Sequence, residues 1–194
     1  MTTSAPRWIY AFAEGDGRNK MLLGGKGANL CEMTRIGLNV PPGFVITTEA
    51  CLACLGDAQR NLPAGLLDAA RTEMASLERQ TGKRFGGGDD PLLVSVRSGS
   101  AMSMPGMMDT ILNLGLNQTT LAALIRHTGN ERFGYDAWRR FIQLFGKVAL
   151  GVPDALFDEQ FEAVKSRVGV KQDVMLGADE LREMMPPTAA ELTV

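Results

Sequence analysis

Ser95-Val96-Arg97-Ser98-Gly99-Ser100-Ala101-Met102-Ser103-Met104-Pro105-Gly106-Met107-Met108-Asp109-Thr110 is the stretch on which the reading of the fold turns. Leu92 to Val96 reads as an apolar strand and Thr110 to Leu114 as another, so the residues between them form a loop joining two strands. Arg97 closes the first strand, a position from which a rigid guanidinium fork can be aimed at phosphate oxygens. The small residues and glycines after it let backbone lie close over such an anion. Met102, Met104, Met107 and Met108 would ordinarily be core filler. Packed beside Pro105-Gly106, they suit an adaptable lid better than a helix face.

Upstream, Trp8 to Phe12 is a strand candidate, and Gly25 to Ile36 has a helical pattern carried by Ala28, Leu30, Cys31 and Met33, with Gly37 as its stop. Directly before that helix stands Leu22-Leu23-Gly24-Gly25-Lys26-Gly27-Ala28-Asn29-Leu30. Gly24, Gly25 and Gly27 permit close backbone approach, a helix start offers free N–H groups, and Lys26 adds a mobile positive charge. The segment is neither a Walker A loop nor G-x-G-x-x-G, since no Ser or Thr follows the lysine at the required spacing. On local pattern alone, a tight turn with a solvated lysine explains it equally well.

Val40-Pro41-Pro42-Gly43 turns the chain into a short strand, Phe44-Val45-Ile46, after which Thr47 or Thr48 caps a helix through Cys51, Cys54 and Leu55. Another helix follows from Pro63, with Leu66, Leu67, Ala70, Met74 and Leu77 at a period near 3.6, and Gly86-Gly87-Gly88-Asp89-Asp90-Pro91 ends the segment. From Asn117 onward the strand signals stop. Leu121, Leu124 and Ile125 mark one helix, Ala137, Phe141, Leu144, Phe145 and Val148 a second, and Phe157, Phe161, Val164 and Val168 a third; the simplest packing is a small bundle around one core. The expectation is therefore an α+β chain, with an α/β part over residues 1–116 and a helical part over 117–194.

A net charge of -2 with no basic tract argues against nucleic acid and against an acidic membrane surface as partners. No apolar run approaches the ~20 residues of a membrane span, and the beginning of the chain lacks a signal pattern, so the expected compartment is the cytoplasm. Cys31, Cys51 and Cys54 do not form a secreted disulfide framework. The Cys51-x-x-Cys54 pair reads as structural, because no second ligand pair exists and His127 is the only histidine.

LLGGKGANL, then PPGFVITTEAC, then SVRSGSAMSMPGMMDTILNLGLN together resemble the nucleotide-binding domain of the pyruvate phosphate dikinases. The helical part joins in through Gly129-Asn130-Glu131-Arg132-Phe133-Gly134-Tyr135-Asp136-Ala137-Trp138-Arg139-Arg140-Phe141-Ile142, so the likeness runs from about Trp8 to Met184. It implies a partial ATP-grasp lobe, a mixed sheet with helices, followed by the helical bundle. Lys26 and Arg97 would contact the ATP phosphates, and the loop Ser98, Gly99, Ser100, Ala101, Met102, Ser103, Met104, Pro105, Gly106, Met107, Met108 would close over them. The resemblance also implies Mg²⁺ held by carboxylates of a second lobe outside these residues, with no metal ligand and no complete catalytic set in this chain. Partners would be ATP and the remaining dikinase parts, a phosphohistidine domain and a pyruvate-binding barrel, with any homo-oligomer formed through them.

The reaction so implied converts ATP, pyruvate and phosphate into AMP, phosphoenolpyruvate and diphosphate. The alternative is a short paralogue that senses nucleotide or docks without catalysis. His127 matches no phosphohistidine motif, and Asp109 reads as a backbone partner rather than a metal ligand. Arg132, Tyr135, Asp136, Arg139 and Arg140 form a polar face that is either solvated or in contact with another domain. Against the family pattern, Cys31 and Ser100 replace alanines and Trp138 a tyrosine. The likeness fades at Met185-Pro186-Pro187, where two prolines break the helix, as in an excised piece or a paralogue with its own ending.

Overall fold

A ribbon of two strands with helices on both faces organises the first part of the chain. The structure is a computed structural model and describes residues 6–99 and 110–184. Strand β1 (Ile9–Ala11) pairs antiparallel with β2 (Phe44–Ile46), Ile9 opposite Ile46, Tyr10 opposite Val45 and Ala11 opposite Phe44. Successive side chains on a strand point to opposite faces, and both faces are covered. Ile9 and Phe44 pack with Ala50 of α2 (Thr48–Gly56) and with Leu66, Ala69 and Ala70 of α3 (Leu66–Thr81). Tyr10, Phe12 and Val45 pack with Leu23, Ala28 and Cys31 of α1 (Lys20–Arg35). The strands and helices expected in this part are all present. Leu67, expected on the apolar stripe of α3, is exposed.

By internal contacts the described residues form two compact units, 6–82 with 98–99, and 83–97 with 110–184. In the second, β3 (Arg84–Phe85) runs parallel to β4 (Pro91–Leu92), and β5 (Val94–Arg97) runs antiparallel to β6 (Thr110–Leu114). The β5–β6 register slips between Val94↔Leu114 and Val96↔Ile111. That leaves an extra residue on β6, and Asn113 there takes φ 58°, a conformation that asparagine tolerates better than most residues.

Helix α4 (Gln118–Thr128) starts from an Asn117–Thr120 capping box and stops at left-handed Gly129. Helix α5 (Glu131–Ala149) is capped by Asn130, and α6 (Asp154–Val168) ends at left-handed Gly169. A 3₁₀ turn at Asp173–Met175 and the short α7 (Ala178–Glu183) complete the unit. The fold is α+β.

The helices do not share one core. Helix α5 is central, packing on β6, α4, α6 and α7. One cluster joins its Ala137, Trp138 and Phe141 to Leu121 of α4, Ile111 of β6 and Leu116 between β6 and α4. A separate cluster joins Phe161 of α6 to Leu176 and Leu181, with Tyr135 touching both clusters. Val168, expected on the inner stripe of α6, is exposed. A helical stripe shows which side of a helix is buried, but not which partner covers it.

The polar face of α5 is used within the unit. Arg132 donates from Nε to the Leu176 carbonyl at 2.8 Å and from Nη2 to the Asp173 carbonyl at 3.0 Å. Asp136 pairs with Arg139 at 3.0 Å, their side chains 18% and 13% exposed, and Arg139 lies 4.4 Å above the Phe161 ring. Only at the outer edge does Arg140 reach water while pairing with Asp136. Arg140 is the solvated part of this face, and Arg132, Asp136 and Arg139 are engaged within the unit.

Phe141 is buried, with its ring centroid 5.7 Å from those of Trp138 and Phe145. Phe141→Ala is expected to cost ~3–5 kcal/mol, read as a shifted midpoint in a denaturant titration; an unchanged midpoint would mean that the cluster around α5 is not a cooperative core.

Candidate functional site

The glycine turn lies inside α1 rather than ahead of it. Asn19 caps a first turn by accepting from the Leu22 amide at 3.1 Å. Gly24 then takes φ 67° and ψ 164°, a combination open essentially to glycine alone. The chain leaves the helical path there and resumes it from Gly25 to Arg35. The break creates a second helix start where one was predicted, at Gly25. With no regular turn ahead of them, the amides after the break are oriented as at any helix N-terminus, which favours an anion.

The three glycines of the turn differ in role. Gly24 supplies the dihedral. Gly27 supplies proximity, since a Cβ there would lie 2.8 Å from Val45 Cγ1 on β2. It is a close-packing glycine between helix and strand, a role the sequence alone did not separate from phosphate approach. Lys26, half-buried between them, donates from Nζ to the carbonyl of Ser98 at 3.4 Å. The contact is long for a hydrogen bond. It places the start of the predicted phosphate loop beside the glycine turn. No described carboxylate pairs with Lys26.

Arg97 ends β5 opposite Thr110 and is exposed, and no described residue bonds to its guanidinium. Of the predicted loop, Ser98 and Gly99 are exposed; Ser100, Ala101, Met102, Ser103, Met104, Pro105, Gly106, Met107 and Met108 lie outside the described residues, as does Asp109. His127 is exposed in the last turn of α4. Among the described residues, no group of three or more His, Cys, Asp or Glu is placed to hold a metal ion. Nor is any described helix long and apolar enough to cross a membrane.

Cys31 is fully buried, and a Cβ on Gly15 would lie 2.4 Å from its sulfur. Burial pushes the thiol above its ordinary pKa, with backbone hydrogen bonding at Cys31 and Gly15 opposing the rise. It acts as a small apolar plug packed against Gly15, in one cluster with Leu23 and Ala28. Cys51 is exposed, and the Cys54 thiol donates to the Arg60 carbonyl at 3.3 Å.

One contributor to the turn was missed. Thr47 and Thr48 were alternatives for a single cap, and the structure divides the work. Thr47 accepts from the Ala50 amide at 3.2 Å and caps α2. Thr48 faces α1, its Oγ1 2.5 Å from the Met21 carbonyl and 3.2 Å from that of Leu22. A doubled threonine of which only one can cap was the available signal.

The described glycine turn falls inside residues 20–83, which match the family model described as "Pyruvate phosphate dikinase, AMP/ATP-binding domain". The chain is 56% identical over 176 residues to the pyruvate, phosphate dikinase of Entamoeba histolytica, covering 91% of this chain and 20% of that relative. Against the Clostridium symbiosum enzyme it is 47% identical over 178 residues, with 92% and 20% covered. Against the chloroplastic enzyme 1 of Arabidopsis thaliana it is 50% identical over 185 residues, with 93% and 19% covered.

This chain belongs to the pyruvate phosphate dikinase family.

It spans about a fifth of the length of the curated relatives it matches. Within the chain, the family match begins at Lys20, the first residue of α1, and so takes in the broken helix, β2, α2 and α3.

The Gly27–Val45 contact yields a test of the packing role. Gly27→Ala is expected to destabilise the chain by about 1–3 kcal/mol through overpacking. In a Val45→Ala background the same change should cost less, a coupling of at least about 0.5 kcal/mol in a denaturant double-mutant cycle. Strict additivity would show that Gly27 is not held by Val45.

Proposed function

We propose that this chain is the ATP-binding portion of a pyruvate phosphate dikinase, with Lys26 and Arg97 supplying positive charge to the nucleotide phosphates. The break at Gly24 carries the reading: it makes a helix start inside α1 and sets Lys26 beside it, within a segment matching an AMP/ATP-binding domain. Helix-start amides and a lysine with no carboxylate partner among the described residues suit a phosphate better than any neutral ligand. On this reading the α/β part is a partial ATP-grasp lobe. The loop from Ser98 to Met108 closes over the phosphates, and Mg²⁺ is held by carboxylates outside these residues; no described residue is assigned to the metal.

The whole protein, working in the cytoplasm, would pass a phosphoryl group from ATP to a histidine on one further domain and then to pyruvate on another. The net products would be AMP, phosphoenolpyruvate and diphosphate. Phosphoryl transfer needs a positioned acceptor and neutralisation of developing charge as well as a cradle. The residues in hand contribute to the cradle.

Calorimetry of the 194-residue chain with Mg-ATP is expected to show binding weaker than micromolar. Lys26→Ala and Arg97→Ala should each weaken it by roughly 10- to 100-fold, as for a lost charge-assisted bond. Sub-micromolar affinity, or indifference to both substitutions, would overturn the assignment. Incubated with ATP, Mg²⁺, phosphate and pyruvate, the same chain should release no AMP above a buffer blank on nucleotide chromatography. AMP that disappears with Arg97→Ala would mean that catalytic groups lie among these residues.

A further inference from the structure

We infer that Thr48 is a positioning residue for the glycine turn, holding the first turn of α1 so that the break at Gly24 presents Lys26 in one orientation; the inference rests on the phosphate reading of that turn. A residue at φ 67° and ψ 164° swings the following amides off the helical path. The carbonyls one turn earlier then lose their regular i+4 donors. Met21 and Leu22 are two such residues. An orphaned carbonyl needs another partner or water. The Thr48 hydroxyl meets this need, 2.5 Å from Met21 O and 3.2 Å from Leu22 O, with its one hydrogen on the nearer.

The hydroxyl is held in place by the surrounding structure. The Thr47 amide donates to the Trp8 carbonyl at 2.9 Å, extending the β1–β2 ladder by one bond. Thr47 then caps α2, which fixes Thr48 as the first residue of that helix with its side chain toward α1. On the far side of the break, Gly27 rests on Val45 of the same strand. The segment Val45 to Thr48 thus touches α1 on both sides of Gly24. Thr48 tethers the part before the break, and Val45 seats the part after it. The angle between the two parts, and with it the direction of Lys26, is set by this clamp.

Thr48→Val keeps the β-branched shape and deletes the hydroxyl; Thr48→Ser keeps the hydroxyl. Hydrogen exchange by mass spectrometry on the 194-residue chain and calorimetry with Mg-ATP are the two measurements, with Lys26→Ala as the reference variant. Thr48→Val is expected to speed exchange across residues 21–27 by about tenfold, leaving α5 unchanged. It should also weaken Mg-ATP about five- to tenfold, with Thr48→Ser restoring both. Unaltered exchange in Thr48→Val overturns the inference whatever the nucleotide does. Faster exchange with unaltered Mg-ATP affinity, where Lys26→Ala does weaken binding, also overturns it, since Thr48 would then support the fold without positioning the lysine. If Lys26→Ala leaves binding unaltered as well, the phosphate reading fails and the positioning role fails with it. Exchange in Thr48→Ser as fast as in Thr48→Val would overturn the hydroxyl as the responsible group.

Discussion

Three residue pairs hold β1 to β2, and the Thr47 amide adds one more bond to the Trp8 carbonyl; the contacts that Val45 and Thr48 make with the glycine turn are referred to this short ladder. The register puts Val45 opposite Tyr10, on the face that receives α1, so its side chain meets Gly27. Because side chains alternate along a strand, a slip of one residue would turn Val45 away and offer a neighbour from the other face. β2 ends at Ile46, so the next residue, Thr47, caps α2 and Thr48 is free to reach α1. Cys31 closes the underside, fully buried beneath the same ribbon. A two-stranded ribbon is a weak element alone. Here it is covered by α1 on one face and by α2 and α3 on the other.

In the second unit the corresponding constraint is α5. Its apolar side packs Trp138 and Phe141 in one cluster with Ile111 of β6, while its polar side is bound to the segment that follows α6. Arg132 holds two carbonyls of that segment, and Lys165, nearly buried, pairs with Asp173 at 3.1 Å. Arg139 and Lys165 both lie over Phe161. These are cations held in place by carboxylates, carbonyls and an aromatic face at once, an arrangement that removes the cost of burying them. A helix that is amphipathic by sequence is thus enclosed on both sides. The pairing of Asp136 with Arg139 and Arg140 is worth more than the usual surface value only where exposure is low, which holds for Arg139 and not for Arg140.

Most elements were legible in the sequence because local signals specify them: short apolar runs for β1 and β2, the helical stripes of α3 to α6, and the separators at Gly129 and Gly151, both left-handed, after α4 and α5. The glycine turn was legible as a helix start, because Gly24, Gly25 and Gly27 stand before an apolar helical pattern. What was not legible is that residues 20–23 are already helical, since their pattern without the break is too short to show a period. The contacts of Thr48 with Met21 and of Arg132 with Leu176 join residues 27 and 44 positions apart, and no local pattern encodes such a pairing. For the same reason a common core was expected for helices that divide between two clusters, and Val168 was assigned inward. The roles of Gly24 and Gly27 were merged in the sequence because composition records a glycine and not whether it serves a dihedral or a contact.

The partner of Lys26 bears on how a phosphate would be held. Its ammonium has a neutral carbonyl at 3.4 Å and no carboxylate among the described residues. A bond to a neutral acceptor contributes about 0.5–1.5 kcal/mol, and one to a charged acceptor about 1.5–3 kcal/mol, so on the proposed reading a phosphate oxygen would displace the Ser98 carbonyl at a net gain. Had Lys26 been paired with a carboxylate, as Lys165 is, the exchange would trade one charged partner for another with little return. The structure therefore keeps the cation near its place by a weak contact and leaves its charge available. Direction, not strength, is then what the surrounding fold must supply, and that is the part played by Gly24, Val45 and Thr48.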